Sequence, residues 1–266
     1  ILGDVEIPEI TAGSLNTFIE GSSVIISWLG NESARIFDYS LIYEDAPDGF
    51  VDPHEWASDS ASTQGSSLTL YDLDEGNYTF YITGRYDADN IGSELFLPFE
   101  IDAIQGPALR MYPLNQTANT GDEIDLYLYF EDVPDNKSAR YVHVDIEINL
   151  NEFSFIPESV EKGDLLTQFE GNGAEIVWLK QYNSDNSVLS IDFSAVIVGS
   201  GVWGTGPIAK FSLKVNAINI SNEDKHCQIY MQSENVLVYD HQEPPEQIHF
   251  PVNMNASVFV KKTVVQ

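Results

Sequence analysis

The chain has 266 residues, with 42 acidic against 12 basic side chains and a formal net charge of −30. A surface of that sign repels nucleic acid and anionic membranes, which excludes both as partners; it serves solubility first, and it also suits a cationic partner or a calcium-rich, salty exterior. A hydrophobic fraction of 43% supports a packed core, and no run of about 18 apolar residues is present to cross a bilayer.

The first half reads as short strands. Residues 24–28 (VIISW) form an apolar run ending in Trp28, and residues 37–43 alternate, with Phe37, Tyr39, Leu41 and Tyr43 on one face. Residues 67–70 (SLTL) predict another strand. Leu73, Gly76 and Tyr78 then stand in the Leu-x-x-Gly-x-Tyr spacing of a tyrosine corner, where the hydroxyl bonds back to the chain entering its strand. Phe80, Ile82 and Gly84 continue that strand, residues 87–92 (DADNIG) turn, and residues 95–101 close the half. Gly106-Pro107 between two strand signals predicts a linker, giving domains at residues 1–104 and 107–262.

The second half predicts about nine strands. Residues 124–130 alternate, and residues 141–150 alternate almost without fault. Val142, Val144, Ile146, Ile148 and Leu150 are expected toward the core, with Tyr141, His143, Asp145, Glu147 and Asn149 outward. Further strands are expected at 153–156, 174–179, 188–198, 208–215, 229–239 and 256–261, with a turn at 160–166 (VEKGDLL). Gly199, Gly201 and Gly204 formally match a G-x-G-x-x-G phosphate loop. A phosphate loop needs a helix after its last glycine, whereas residues 208–215 (IAKFSLKV) alternate with a period of two and predict a strand. The whole chain is therefore expected to be all-β.

Sites for chemistry are sparse. His54, His143, His226, His241 and His249 show no ligand spacing, and His226-Cys227 alone is too few for zinc. No G-x-S-x-G elbow is present, although a Ser-His-Asp set assembled by folding stays open. Residues 87–92 begin like an EF-hand loop, but Ile91 and Pro98 occupy ligand positions. Calcium held by loop carboxylates stays open, and no catalytic residue, metal site or cofactor is assigned. Cys227 is the only cysteine, so no internal disulfide forms, which says little about compartment. Ile1 is expected to be a processed or cropped start, and six N-x-S/T sequons are expected to mark polar surface turns.

Residues 15–103 resemble the fibronectin type III superfamily, through Trp28, the Leu73/Gly76/Tyr78 corner and the closing turn at 87–92. Residues 108–260 resemble the cohesin family. The resemblance rests on TGDEIDLYL from Thr120, the V-x-x-G-(apolar pair) run from Val160, the glycine-rich connection, and the F-x-L-K-V strand. Asn151-Glu152 departs from the family's Asp-Pro. The resemblance implies an immunoglobulin-like, fibronectin III-like sandwich followed by a jelly-roll sandwich. It implies an extracellular or cell-surface, non-catalytic receptor for a dockerin-bearing partner that carries its own calcium. It places partner contacts on Tyr141, His143, Asp145 and Glu147, extended by Ser190 and Asp192 on a neighbouring strand. A carbohydrate-binding or adhesion module, or a structural stalk of a larger surface protein, is the alternative; Trp203 in the glycine loop offers an aromatic face for sugar, while Trp178 is expected in the core.

Overall fold

Strand-forming runs broken by Gly, Pro, Asn and Asp give nineteen strands and one α-helix among the described residues of a computed structural model. It describes residues 6–46, 62–63, 66–183, 187–196, 200–217, 223–231, 236–250 and 252–261. His54, Asn219 and residues 197–199, which include Gly199, lie outside the described residues. The chain divides into two compact units, one running to Ile104 and the other from Gln105.

The first unit holds β1 (Asn16–Glu20), β2 (Ser23–Ser27), β3 (Ile36–Tyr43), β4 (Ser62–Thr63), β5 (Ser67–Leu70), β6 (Gly76–Arg85) and β7 (Ile91–Ile101). They make a three-stranded sheet, β1-β2-β5, and a four-stranded sheet, β4-β3-β6-β7. Val24 and Ile26 of β2 are fully buried, and Trp28 packs edge-on to Phe37 with ring centroids 5.5 Å apart. The tyrosine corner forms: Tyr78 donates its hydroxyl to the Asp74 carbonyl at 3.1 Å. Gly76 sits there at φ +125°, a conformation that other residues rarely adopt. β1 and β4 carry no strand signal in the sequence; β1 buries little of itself, as its pattern of exposure shows.

The second unit holds β8 (Ala108–Tyr112), β9 (Asn115–Ala118), β10 (Glu123–Val133), β11 (Ala139–Glu147), β12 (Phe153–Lys162), α1 (Asp164–Gly171), β13 (Glu175–Asn183), β14 (Val188–Val196), β15 (Gly204–Val215), β16 (Lys225–Met231), β17 (Leu237–Asp240), β18 (Val252–Met254) and β19 (Ala256–Val260). One sheet runs β12-β15-β10-β8-β18; the other runs β13-β14-β11-β16-β19-β9, with β17 also paired to β11. Leu126, Leu128 and Phe130 from the first sheet meet Val142, Val144, Ile146 and Phe193 from the second in one core. The result is an all-β sandwich of the jelly-roll kind. At one margin β8 and β18 pair in parallel, as do β9 and β19, so two stretches of chain cross side by side from sheet to sheet. At the other margin lie the edge strands β12 and β13, where the Lys180 ammonium donates to the Val160 carbonyl.

Four expectations are corrected. The stretch at 160–166 is not a simple turn: β12 runs to Lys162 and α1 follows. Gly163 is the N-cap of α1, and the position holds glycine because a Cβ there would lie 2.2 Å from the Pro207 carbonyl oxygen. Residues 229–239 are two strands rather than one, β16 and β17, which meet different parts of β11. Leu150 does not face the core: the strand ends at Glu147, and Glu152 and Phe153 donate to the Asn149 carbonyl in a turn that leaves Leu150 exposed. Among the described residues the second unit has twelve strands instead of about nine. After Gly204 the chain continues as β15, so no helix stands there to hold a phosphate.

Candidate functional site

Register assembles the site. β11 and β14 pair antiparallel, with His143 opposite Asp192 and Asp145 opposite Ser190. Their inward neighbours, Val144 and Ile191, are fully buried, so the alternation turns the polar set outward. All six residues expected at the site, Tyr141, His143, Asp145, Glu147, Ser190 and Asp192, stand half-buried on one sheet face.

Five of them are joined. His143 Nδ1 lies 2.7 Å from Asp192 Oδ1, and an ionised carboxylate only accepts, so the ring nitrogen donates. Tyr141 donates its hydroxyl to the same oxygen at 3.2 Å. Burial, and then the adjacent Asp192 carboxylate, holds the Tyr141 hydroxyl above its ordinary value, which keeps it a donor. Ser190 donates to Asp145 Oδ1 at 2.6 Å, and His143 Nε2 stands 3.5 Å from that oxygen. Glu147 lies opposite Val188 at the end of the paired stretch.

The face has an apolar rim that the sequence did not reveal. On β13, Val177 is 47% exposed and Leu179 61%, beside Ser194 and Asp192 respectively. On the other side of β11, β17 sets Tyr239 against Tyr141 and Leu237 against His143, and β16 sets Tyr230, 48% exposed, against Glu147. The apolar run at residues 176–179 of β13 shows no alternation, so which of its residues join this face depends on register.

Other candidates fall in different places. Ser138 Oγ lies 2.9 Å from His241 Nδ1, yet Ser138 is fully buried and its oxygen also takes the Gly201 N–H. The pair ties the glycine connection to the start of β11. His226 stacks on Phe259, while Cys227 points into the core, where burial, with Glu152 adding to it, pushes its thiol up to about 11. Asp87 accepts from Asn90 and from the Asp89 backbone within its turn; these bonds, the Asn90 side chain first, hold it below the usual carboxylate range. Among the described residues no group of three or more His, Cys, Asp or Glu is placed to hold a metal ion. Trp178 packs against the core. Trp203 is 44% exposed and meets Phe169 of α1 edge-on. No helix among the described residues is long and apolar enough to cross a membrane.

No family model and no curated protein matches the chain. Solved structures similar to it include the third cohesin ScaC of Acetivibrio cellulolyticus in complex with the ScaB dockerin, at 15% identity over 57% of this chain and 97% of that one, with a TM-score of 0.46. CaCohA2 of Clostridium acetobutylicum is 14% identical over 58% and 96%, with a TM-score of 0.44. A type II cohesin domain from the cellulosome of Acetivibrio cellulolyticus is 10% identical over 57% and 94%, with a TM-score of 0.43. Identities and scores this low give these likenesses no weight in assigning the site.

Proposed function

We propose that the second unit is a protein-recognition module, a cohesin-like receptor that takes a dockerin-bearing partner on the outward face of β14, β11 and β17. The observation that carries the reading is the joined set on β11 and β14, in which His143, Asp192, Tyr141, Asp145 and Ser190 hold one another in place. Side chains fixed before contact lose little rotamer freedom on binding, which favours a ready-made docking face. The order of sequence motifs from Thr120 to Val215 supports the same reading. In it the protein catalyses nothing, works in secreted form or at a cell surface, and leaves calcium to the partner. The first unit is read as a fibronectin III-like spacer, on the strength of its tyrosine corner.

The test is a panel of recombinant type I and type II dockerins measured against the chain by calorimetry. At least one is expected to bind, and His143→Ala with Asp145→Ala to weaken it tenfold or more. A panel in which none binds, or unchanged affinity in the double variant, overturns the reading. Exposed Trp203 favours carbohydrate binding as a second reading. A glycan array positive for the wild type and lost in Trp203→Ala selects it.

A further inference from the structure

We infer that β13 is a docking edge for a second copy of this chain: two β13 strands pair antiparallel about a two-fold axis at Trp178 and join two seven-stranded sheets into one. The pairing uses the margin of the sheet, not its outward face, and stands without the docking reading above.

An edge strand carries a row of backbone N–H and C=O groups with no neighbour to take them, and folded chains blunt such rows by shortness, proline or bulges. Among the described residues the other sheet edges are blunted in these ways. β1, β4, β5, β9 and β18 have five residues or fewer. β7 carries Pro98 and a register shift against β6, and β12 carries Pro157 and a register shift against β15. β13 has nine residues, no Pro or Gly, and an unbroken register against β14, its one neighbour in the sheet. Its side chains run Glu175, Val177, Leu179 and Gln181 outward, with Ile176, Trp178 and Lys180 on the core side. An inward charge can guard an edge, but the Lys180 ammonium is drawn away to the Val160 carbonyl of β12.

The strand's own sequence selects the occupant. A two-fold axis perpendicular to the sheet keeps both outward faces on one side and sets the open backbone groups of one copy against those of the other. With the axis at Trp178, Val177 opposes the partner's Leu179 and Leu179 opposes the partner's Val177. Both are exposed in the single chain, 47% and 61%, so each gains an apolar cross-strand neighbour. Glu175 then opposes the partner's Gln181 and Ile176 the partner's Lys180, so no like charges face each other. Moving the axis to Leu179 sets Val177 against Gln181 and Trp178 against Lys180, a poorer match.

Two terms keep the dimer weak. Each copy carries a net charge of −30, so long-range repulsion opposes association until salt screens it. The overlap, residues 175–181 of each copy, runs only about 24 Å along the strand, a contact below standard interface size. In the dimer the two outward faces of β11 and β14 point the same way, which on the docking reading makes a two-site receptor.

The test is sedimentation velocity on the full chain. It is expected to be monomeric at about 5 µM and to dimerise toward about 1 mM, as small interfaces do. Raising NaCl from about 0.1 M to about 0.5 M is expected to tighten the dimer at least threefold, because screening relieves the repulsion. In hydrogen exchange followed by NMR, amides of residues 175–181 are expected to gain protection in the concentrated sample relative to the dilute one. Val177→Lys with Leu179→Lys sets like charges across the axis and is expected to abolish the dimer. Val177→Glu with Leu179→Lys sets opposite charges across the same pairs and is expected to keep it. Both positions are exposed, and circular dichroism checks folding; should a variant unfold, the exchange pattern of the wild type decides. A chain that stays monomeric at every concentration overturns the inference and leaves the edge to a foreign strand. A dimer weakened by salt, one that survives the two lysines, one lost in both variants, or one that protects other amides and not 175–181 also overturns it.

Discussion

The two sheets of the second unit treat their outward charges in opposite ways. On the five-stranded sheet two carboxylates of β10 have their own cations: Glu131 lies 2.9 Å from Arg110, and Asp125 lies 2.6 Å from Lys210. Both cations also stand over aromatic rings, Arg110 over Tyr129 and Lys210 over Tyr127. On the larger sheet Asp145 and Asp192 meet hydroxyls and one imidazole, and among the described residues no Lys or Arg pairs with them. The first arrangement closes on itself and leaves little for a visitor. The second is held firmly yet keeps acceptor capacity in reserve. The difference teaches that charge alone does not mark a binding face in so acidic a chain; the marker is which carboxylates are answered from within.

The comparison breaks most visibly at Arg110, whose side chain is 3% exposed against 11% for Glu131. Arg110→Ala is expected to cost about 3–5 kcal/mol in urea unfolding, because it strands a buried carboxylate. Burial already raises Glu131 above its ordinary value, opposed by Arg110. A carboxyl whose folded value is raised favours the folded state at low pH and loses that contribution as pH rises through the folded value. The Arg110→Ala penalty should therefore shrink on acidification; a penalty independent of pH would show that Glu131 is not the cause.

Cys227 gives the next effect. Its thiol is raised to about 11, chiefly by burial. Its contribution to stability is complete below the ordinary thiol value and is lost as pH climbs through about 11. Cys227→Ala should flatten the alkaline fall in melting temperature between pH 9 and 11, and the native thiol should react with a disulfide reagent only as fast as the chain opens. Lys210→Met comes third, at about 1 kcal/mol or less, since its pair with Asp125 is partly exposed. Smallest is the pair Asp145→Asn and Asp192→Asn, expected to change stability by less than about 1 kcal/mol. A large loss there would move these residues from binding to structure and erase the contrast between the sheets.

Much of this was legible in the sequence where one face of a strand is wet and the other dry. β11 declared itself by alternation, and its four outward residues were named correctly as a set, because Val142, Val144 and Ile146 are wholly buried. The strand after Gly204 was legible for the same reason. α1 was not, since eight residues give barely two turns and only Leu165 and Leu166 are buried. The contact of His143 with Asp192 needed the register of β11 on β14, which no local pattern encodes. The rim residues Val177 and Leu179 were hidden for a related reason: an edge strand that is apolar on both faces shows no contrast to read.

The sandwich is bound like a book. Its spine is the margin where β8 passes into β9 and β18 into β19, two covalent hinges lying side by side. Its fore-edge is the margin of β12 and β13, which the chain crosses once through α1 and where the Lys180 ammonium also fastens one cover to the other at the Val160 carbonyl. Breathing of the two covers should start at that clasp, so backbone amides of β12 and β13 should trade protons with solvent sooner than those of β10 and β11, and acetylating Lys180 should hasten the exchange.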